Sequence, residues 1–282
     1  MKFSVITLFP DLISDFLKVG VVGQAVVKQK IAVETWTPRQ WTQDIHKTVD
    51  DRPFGGGDGM VMMPEPLHQC LTHILQRASE APDGVAPRKI YLSPQGRRLD
   101  HSLVMELSKE KHLLLLCGRY AGVDQRFLNH YQFEEVSLGD YVLSGGELAA
   151  LVTIDAVSRQ LKGVLGHESS SLEDSFAVDG LLESPCFTRP REWEGAAVPE
   201  FLLTGNHAQI AEDRWGVSVL ITFVKRRDLF NDYMVRQSVS KKVWNKTLRN
   251  LQSLSSNALT SLGLTRKNLE DFADHLRELK IF

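Results

Sequence analysis

Three glycine-bearing stretches have the residue types and spacing for a ligand site read mostly through main-chain groups: LSPQGRRLD (92–100), LCGRYAGVD (116–124) and SLGDYVLSGGELAA (137–150). Glycine permits positive φ and close backbone approach, so three such loops following strands can line one pocket with amide donors and carbonyl acceptors. Each loop taken singly has a plainer reading. Gly118 and Gly122 suit a tight strand-to-helix turn, and Gly145 and Gly146 suit a helix start. Phosphate-binding signatures are missing: no GxGxxG follows a strand, no GxxxxGK[ST] occurs, and FGGGDG (54–59) is preceded by Arg52 and Pro53 instead of an apolar run. Cys70, Cys117 and Cys186 are too few and too scattered for a disulfide framework or a CxxC metal site.

Loops of this kind work only if strands and helices fix their ends. Short apolar runs predict strands over 3–9, 31–37, 89–92 and 113–117, and amphipathic stretches predict helices over 12–30, 66–79, 100–109 and 146–161. Strands alternating with helices mean an α/β domain with a largely parallel sheet covered on both faces, whose ligand lies at the C-terminal ends of the strands. The pattern breaks over 163–176 (GVLGHESSSLEDSF), a flexible connection, and then resumes as helices over 207–224, 228–256 with a break, and 265–280. The expected organisation is 1–162, a linker at 163–176, and a helical domain over 177–282. A length of 282 residues agrees with two unequal domains.

With 43% hydrophobic and 24% charged residues, the composition is that of an ordinary soluble globular protein, which excludes collagenous and disordered classes. The apolar runs at 113–117 and 217–224 fall short of the ~18–20 residues of a membrane span, and residues 1–10 have no signal-peptide pattern, so a cytoplasmic location is expected. The net charge of −2 hides an asymmetry. From Phe201 onward 13 Lys+Arg face 8 Asp+Glu, a surplus of +5, leaving −7 for residues 1–200. Such a basic end fits either contact with a polyanion or a solvated helical face.

The segments DDRPFGGGDGMVM (50–62), YLSPQGRRLD (91–100), LCGRYAGVD, SLGDYVLSGGELAA, GVLGHESSSLEDSF, GLLESPCFTRP (180–190) and GNHAQI (205–210), in this order, resemble the bacterial tRNA (guanine-N1)-methyltransferase family of the SPOUT class, commonly called TrmD. The resemblance implies a mostly parallel α/β domain whose C-terminal part threads a trefoil knot, then a linker and a small all-helical domain. It implies S-adenosylmethionine in the knot loops, against Leu92, Pro94, Gly96, Gly118, Tyr120, Gly122, Leu138, Gly139, Tyr141, Leu143, Gly145 and Gly146. The implied reaction is methyl transfer to N1 of guanosine at position 37 of tRNA, next to the anticodon.

By the same resemblance Asp174 is the general base and Arg159 stabilises charge developing on guanine O6. Each also fits a structural role: Ser171 and Asp174 have the spacing of a helix-capping box, and Arg159 lies near a helix end where a cation complements the dipole. RNA contacts implied are Asp51, Arg52, Arg119, Ser175, Thr188, Arg189, Asn206 and His207, with Lys225, Arg226 and Arg227 on tRNA phosphates. A homodimer with active sites between subunits is implied as well. No metal ligands are assigned, and the sequence leaves the participation of Mg2+ open.

The chain departs from the family pattern in three places. Ala121 stands where the family usually has glutamate, SFAVDGLL is one residue longer than the usual SFxxGLL, and Ile221-Thr222 with Arg226-Arg227-Asp228 replaces the usual basic pattern. The competing function is a catalytically silent RNA-binding relative of the same fold. A Rossmann-type oxidoreductase is contradicted by the missing fingerprint.

Overall fold

The computed structural model describes residues 1–166, 174–237 and 239–279. The chain separates into two compact units, Met1–Glu168 and Ser169–Phe282.

The first unit contains β1 (Lys2–Ile6), β2 (Ala32–Trp36), β3 (Asp50–Asp51), β4 (Val61–Met62), β5 (Arg88–Arg98), β6 (His112–Cys117) and β7 (Glu134–Ser137). Its helices are α1 (Pro10–Phe16), α2 (Gly20–Val27), α3 (Pro64–Glu80), α4 (His101–Leu107), α5 (Gln125–Tyr131) and α6 (Glu147–Ser158). Strands pair in the order β2-β1-β6-β5-β7, all in parallel. Every residue of β6 is buried, and the period of two divides them. Leu113, Leu115 and Cys117 join a core with Ile13, Leu103, Ile154 and Val157 from one set of helices. Leu114 and Leu116 join Leu67, Leu71, Ile74 and Phe127 on the opposite face. Burial on both faces is why this central strand reads as a continuous apolar run.

Several elements differ from the sequence expectation. The helix expected over 12–30 is two helices, because Gly20 at φ +67 starts α2 afresh after the Leu17 cap of α1. The strand expected over 89–92 continues to Arg98, with a register shift between Leu92 and Arg97 where it pairs with β7. Gly96 makes this run possible. A Cβ there would lie 2.2 Å from the carbonyl carbon of Glu135, so only glycine lets the two strands come this close. The short α5 and β7 follow β6, separated by Gln132 at φ +53, and had no periodic signal. FGGGDG forms the connection of the β3–β4 hairpin.

The second unit carries α7 (His207–Lys225), α8 (Arg227–Arg236), α9 (Lys241–Gln252), α10 (Ser256–Ser261) and α11 (Arg266–Glu278). It is not wholly helical: β8 (Glu192–Trp193) and β9 (Ala196–Ala197) form a short antiparallel pair. The helical stretch expected over 228–256 with a break is α8 and α9, and α10 begins where it ends; Ser240 and Ser255 cap α9 and α10 through their hydroxyls. Trp244, Phe272, Phe230, Tyr233 and Val219 form the centre of its core. Much of the expected 163–176 linker, and Ser171 of the proposed capping box, lies outside the described residues.

Candidate active site

Segments following β6 and β7, with residues of β5, open into a concave cleft of the kind in which small molecules bind. All but one of the residues named from sequence for the cofactor line it: Leu92 and Pro94 from β5, Gly118, Tyr120 and Gly122 after β6, and Leu138, Gly139, Tyr141, Leu143, Gly145 and Gly146 after β7. Gly96 does not line the cleft, and its place is the β5–β7 contact already described. Sequence reasoning passed over Tyr91, Ser93, Ser137, Val142 and Ala149, which also face it. Ala121, singled out only as a departure from the family pattern, faces it too.

The loops are tied to one another by main-chain bonds. Gly146 N–H donates to the Gly118 carbonyl at 2.9 Å, Ala121 N–H to the Met60 carbonyl at 2.8 Å, and Met62 N–H to the Gly122 carbonyl at 2.9 Å. Gly139 N–H donates to Ser137 Oγ at 3.1 Å. Glycine is needed here for loops to approach each other. A Cβ on Gly118 would lie 2.8 Å from the Tyr91 hydroxyl, one on Gly145 2.4 Å from Arg119 Nε, and one on Gly146 2.7 Å from Cys117 Cα. Burial, with Glu135 nearby, pushes the Tyr91 phenol up, and burial pushes the Cys117 thiol well above its ordinary range.

Beneath the loops is a buried polar relay with no signal in the sequence beyond its position after Gly145 and Gly146. Glu147, 1% exposed at the start of α6, accepts a bond from Thr7 Oγ1 at 2.8 Å through Oε1, while Oε2 lies 3.0 Å from Arg119 Nε. That last contact has ion-pair distance without hydrogen-bond geometry. Arg119 also donates to the Ser144 carbonyl at 3.1 Å and stacks over Phe9 with its guanidinium carbon 4.3 Å from the ring centroid. Named from sequence as an RNA contact, Arg119 thus has its guanidinium turned toward the protein.

Arg159 is the C-cap of α6, with its N–H on the Asp155 carbonyl at 3.1 Å. Asp174 is half-buried in the second unit, in a turn where its carbonyl accepts the Ala177 N–H at 3.1 Å. Asp51 and Arg52 are exposed on the β3–β4 hairpin, and Thr188 and Arg189 are exposed ahead of β8. Ser175 Oγ accepts the Glu183 N–H at 3.0 Å. Asn206 caps α7 by accepting the Gln209 N–H at 3.2 Å, and His207 is exposed beside it. Of the basic triplet, Lys225 is exposed, Arg226 is bound by both Asp228 oxygens, and Arg227 stacks on Phe223 at 3.5 Å. Among the described residues no group of three His, Cys, Asp or Glu is placed to hold a metal ion, and no helix is long and apolar enough to cross a membrane.

Comparison with known proteins agrees with the resemblance in the loops. Residues 1–232 match the family described as tRNA (Guanine-1)-methyltransferase TrmD. The chain is 50% identical over 230 residues to the tRNA (guanine-N(1)-)-methyltransferase of Janthinobacterium sp. (strain Marseille), covering 81% of this chain and 91% of that one. It is 46% identical over 241 residues to the protein of the same name from Salmonella schwarzengrund (strain CVM19633), covering 86% and 92%. The Cronobacter sakazakii (strain ATCC BAA-894) protein of that name gives 46% over 241 residues, covering 86% and 91%. With a cleft of this construction and a match over most of its length, the chain belongs to the tRNA (guanine-1)-methyltransferase TrmD family.

Proposed function

We propose that this chain transfers a methyl group from S-adenosylmethionine to N1 of guanosine at position 37 of tRNA, next to the anticodon. The observation that carries this reading is the meeting of the three glycine loops in one cleft, in a chain that belongs to the family. The cleft suits the donor chemically: Pro94, Leu138 and Leu143 offer apolar walls for a purine ring, and main-chain groups of the loops offer the polar edges. When bound, the donor supplies a methyl group activated by a sulfonium. We place the loops in a trefoil knot of the SPOUT type. The reading is supported by the way β5 runs beyond its pairing with β6 and takes up β7 again after a register shift.

Guanine N1 carries a proton at neutral pH, so its attack needs a base and a group to balance charge moving to O6. Asp174 takes the proton, and Arg159, permanently charged and rigidly forked, holds the developing negative charge. Asp51, Arg52, Ser175, Thr188, Arg189, Asn206 and His207 contact the RNA. The protein acts as a homodimer in the cytoplasm, with the connection of one subunit closing the cleft of the other. Dimer formation is supported by exposed apolar side chains on adjoining helices: Leu148 and Val152, 52% and 49% exposed one turn apart on α6, with Leu12 on α1 and Val21 on α2, both of which pack against α6.

The test supplies unmodified tRNA with guanosine at positions 36 and 37 and labelled S-adenosylmethionine. Label at N1 of the position-37 base is the expected result. Cofactor binding without label at that atom overturns it in favour of the silent RNA-binding relative, the reading to which Ala121 gives its support.

A further inference from the structure

The family match ends at residue 232, inside α8, yet the chain beyond it is folded into the second unit. Trp244 and Leu251 of α9 and Phe272 and Leu276 of α11 are buried in one core with Val219, Leu220 and Phe223 of α7. Serine and threonine caps at Ser240, Ser255 and Thr265 define each helix start, and the last is a full capping box with Asn268. These helices therefore form a layer of the unit, with a buried face accounted for by packing.

The outer face is not accounted for. Residues 201–232 hold four basic and four acidic side chains and so contribute nothing to the basic end of the protein, whereas residues 233–282 hold nine basic and four acidic ones and carry the whole surplus. The surplus is densest on α9. This helix has Lys241, Lys242, Lys246 and Arg249 and no acidic residue. All four are exposed; the three- and four-residue spacings of Lys242, Lys246 and Arg249 set these on one side, opposite Trp244, Thr247 and Leu251, with Lys241 at the N-terminal edge of that face. Lys246 is paired with Glu212. Lys241 and Lys242 meet no carboxylate within ion-pair distance among the described residues, and Arg249 bonds only the Asn245 carbonyl of its own helix.

Helix stability does not explain this pattern. Lys241 and Lys242 occupy the first turn, where the macrodipole disfavours cations, and a helix without Glu or Asp has no internal ion pairs to gain. The triplet that sequence placed on phosphates is, by contrast, largely engaged within the protein, with Arg226 on Asp228 and Arg227 on Phe223. We infer that the exposed face of α9, through Lys241, Lys242 and Arg249, binds the phosphate backbone of the tRNA and enlarges the substrate footprint past the residues that the family model matches.

This inference rests on tRNA being the substrate. Truncating the chain at 232 is no test, since it strips Trp244 and Phe272 from the core. The substitutions K241Q, K242Q and R249Q, combined in the full chain, remove three exposed charges and leave the Lys246–Glu212 pair intact. Methylation kinetics against tRNA are measured from low to moderate salt. The expected result is a raised KM for tRNA and a slope of log KM against log salt shallower by roughly 2 to 3, about 0.7–0.9 per lost phosphate contact. The KM for S-adenosylmethionine, kcat at saturating tRNA and the melting temperature stay at wild-type values. A KM for tRNA and a salt slope equal to those of wild type overturn the inference while leaving the substrate reading intact. Failure of the wild-type protein itself to methylate tRNA overturns that reading instead.

Discussion

Glu147 Oε2 lies 3.0 Å from Arg119 Nε, and the two side chains are unequally sheltered: the carboxylate side chain is 1% exposed and the arginine side chain 22%. The pair links the start of α6 to the loop after β6, and Thr7 brings in the end of β1 through the other carboxylate oxygen. Removing the arginine strands a buried anion, while neutralising the glutamate releases a cation that can reach water. Arg119→Met is therefore expected to cost about 3–5 kcal/mol of stability. Glu147→Gln keeps an acceptor for Thr7 and is expected to cost about 1 kcal/mol. Urea denaturation of both variants checks the order, and equal losses would show that the carboxylate is not held by Arg119.

Gly146 sets the separation between the loop after β6 and the start of α6. A Cβ there would lie 2.7 Å from Cys117 Cα and 3.0 Å from Gly118 N, both main-chain atoms that move only if the loop moves. Overpacking of this kind costs about 1–3 kcal/mol of stability unless the loop after β6 moves, and a moved loop that forfeits about 1.4 kcal/mol of binding raises the Kd for S-adenosylmethionine about tenfold, the result expected for Gly146→Ala. Gly166→Ala, where nothing lies within 4 Å, serves as the control. Calorimetry that finds wild-type affinity in Gly146→Ala would separate the cleft from the cofactor.

Asp174→Asn keeps the size and polarity of the side chain and removes its basicity. Turnover is expected to fall by about 10²–10⁴, the usual worth of a general base, with cofactor Kd unchanged. Turnover near wild type would assign proton removal to another group.

The central strand was legible from residues alone because β6 is buried on both faces and its sequence is a bare apolar run. The continuation of β5 was not, since Ser93-Pro94-Gln95-Gly96 has turn composition and its extended course depends on Glu135 packing where Gly96 has no side chain. Glycines in the sequence marked the loops that meet in the cleft, although at Gly145 the room they leave is for protein and not for a ligand. Gly145 leaves room for the Arg119–Glu147 pair, a meeting of distant segments that no local period encodes. The basic end was legible as a charge count, but its location was not. Only the structure shows Arg226 and Arg227 engaged and the face of α9 open.

His112 gives the first unit a pH dependence. Its ring is 5% exposed in the sheet, with Nε2 2.9 Å from Ser4 Oγ. Burial first, and the Lys2 ammonium second, hold its pKa below the ordinary value of 6.5, with weaker opposition from the Val85 carbonyl, Glu34 and Asp83. Below pH 6.5 the unfolded chain takes up a proton that the native ring still refuses. Stability from this group is therefore complete above that pH and falls as the pH drops toward the lowered native value. His112→Gln is expected to flatten this acid limb in a series of melting temperatures, and superimposable limbs would remove His112 as its cause.

Gly118 and Gly146, bonded to each other through their main chains, both line the cleft and present no side chain there. A side chain added at either position would run into Tyr91 or into the main chain of Cys117 and Gly118. A substitution that reshapes the cleft without displacing these loops therefore falls on side chains of its walls, such as Pro94, Ala121, Leu138 and Leu143.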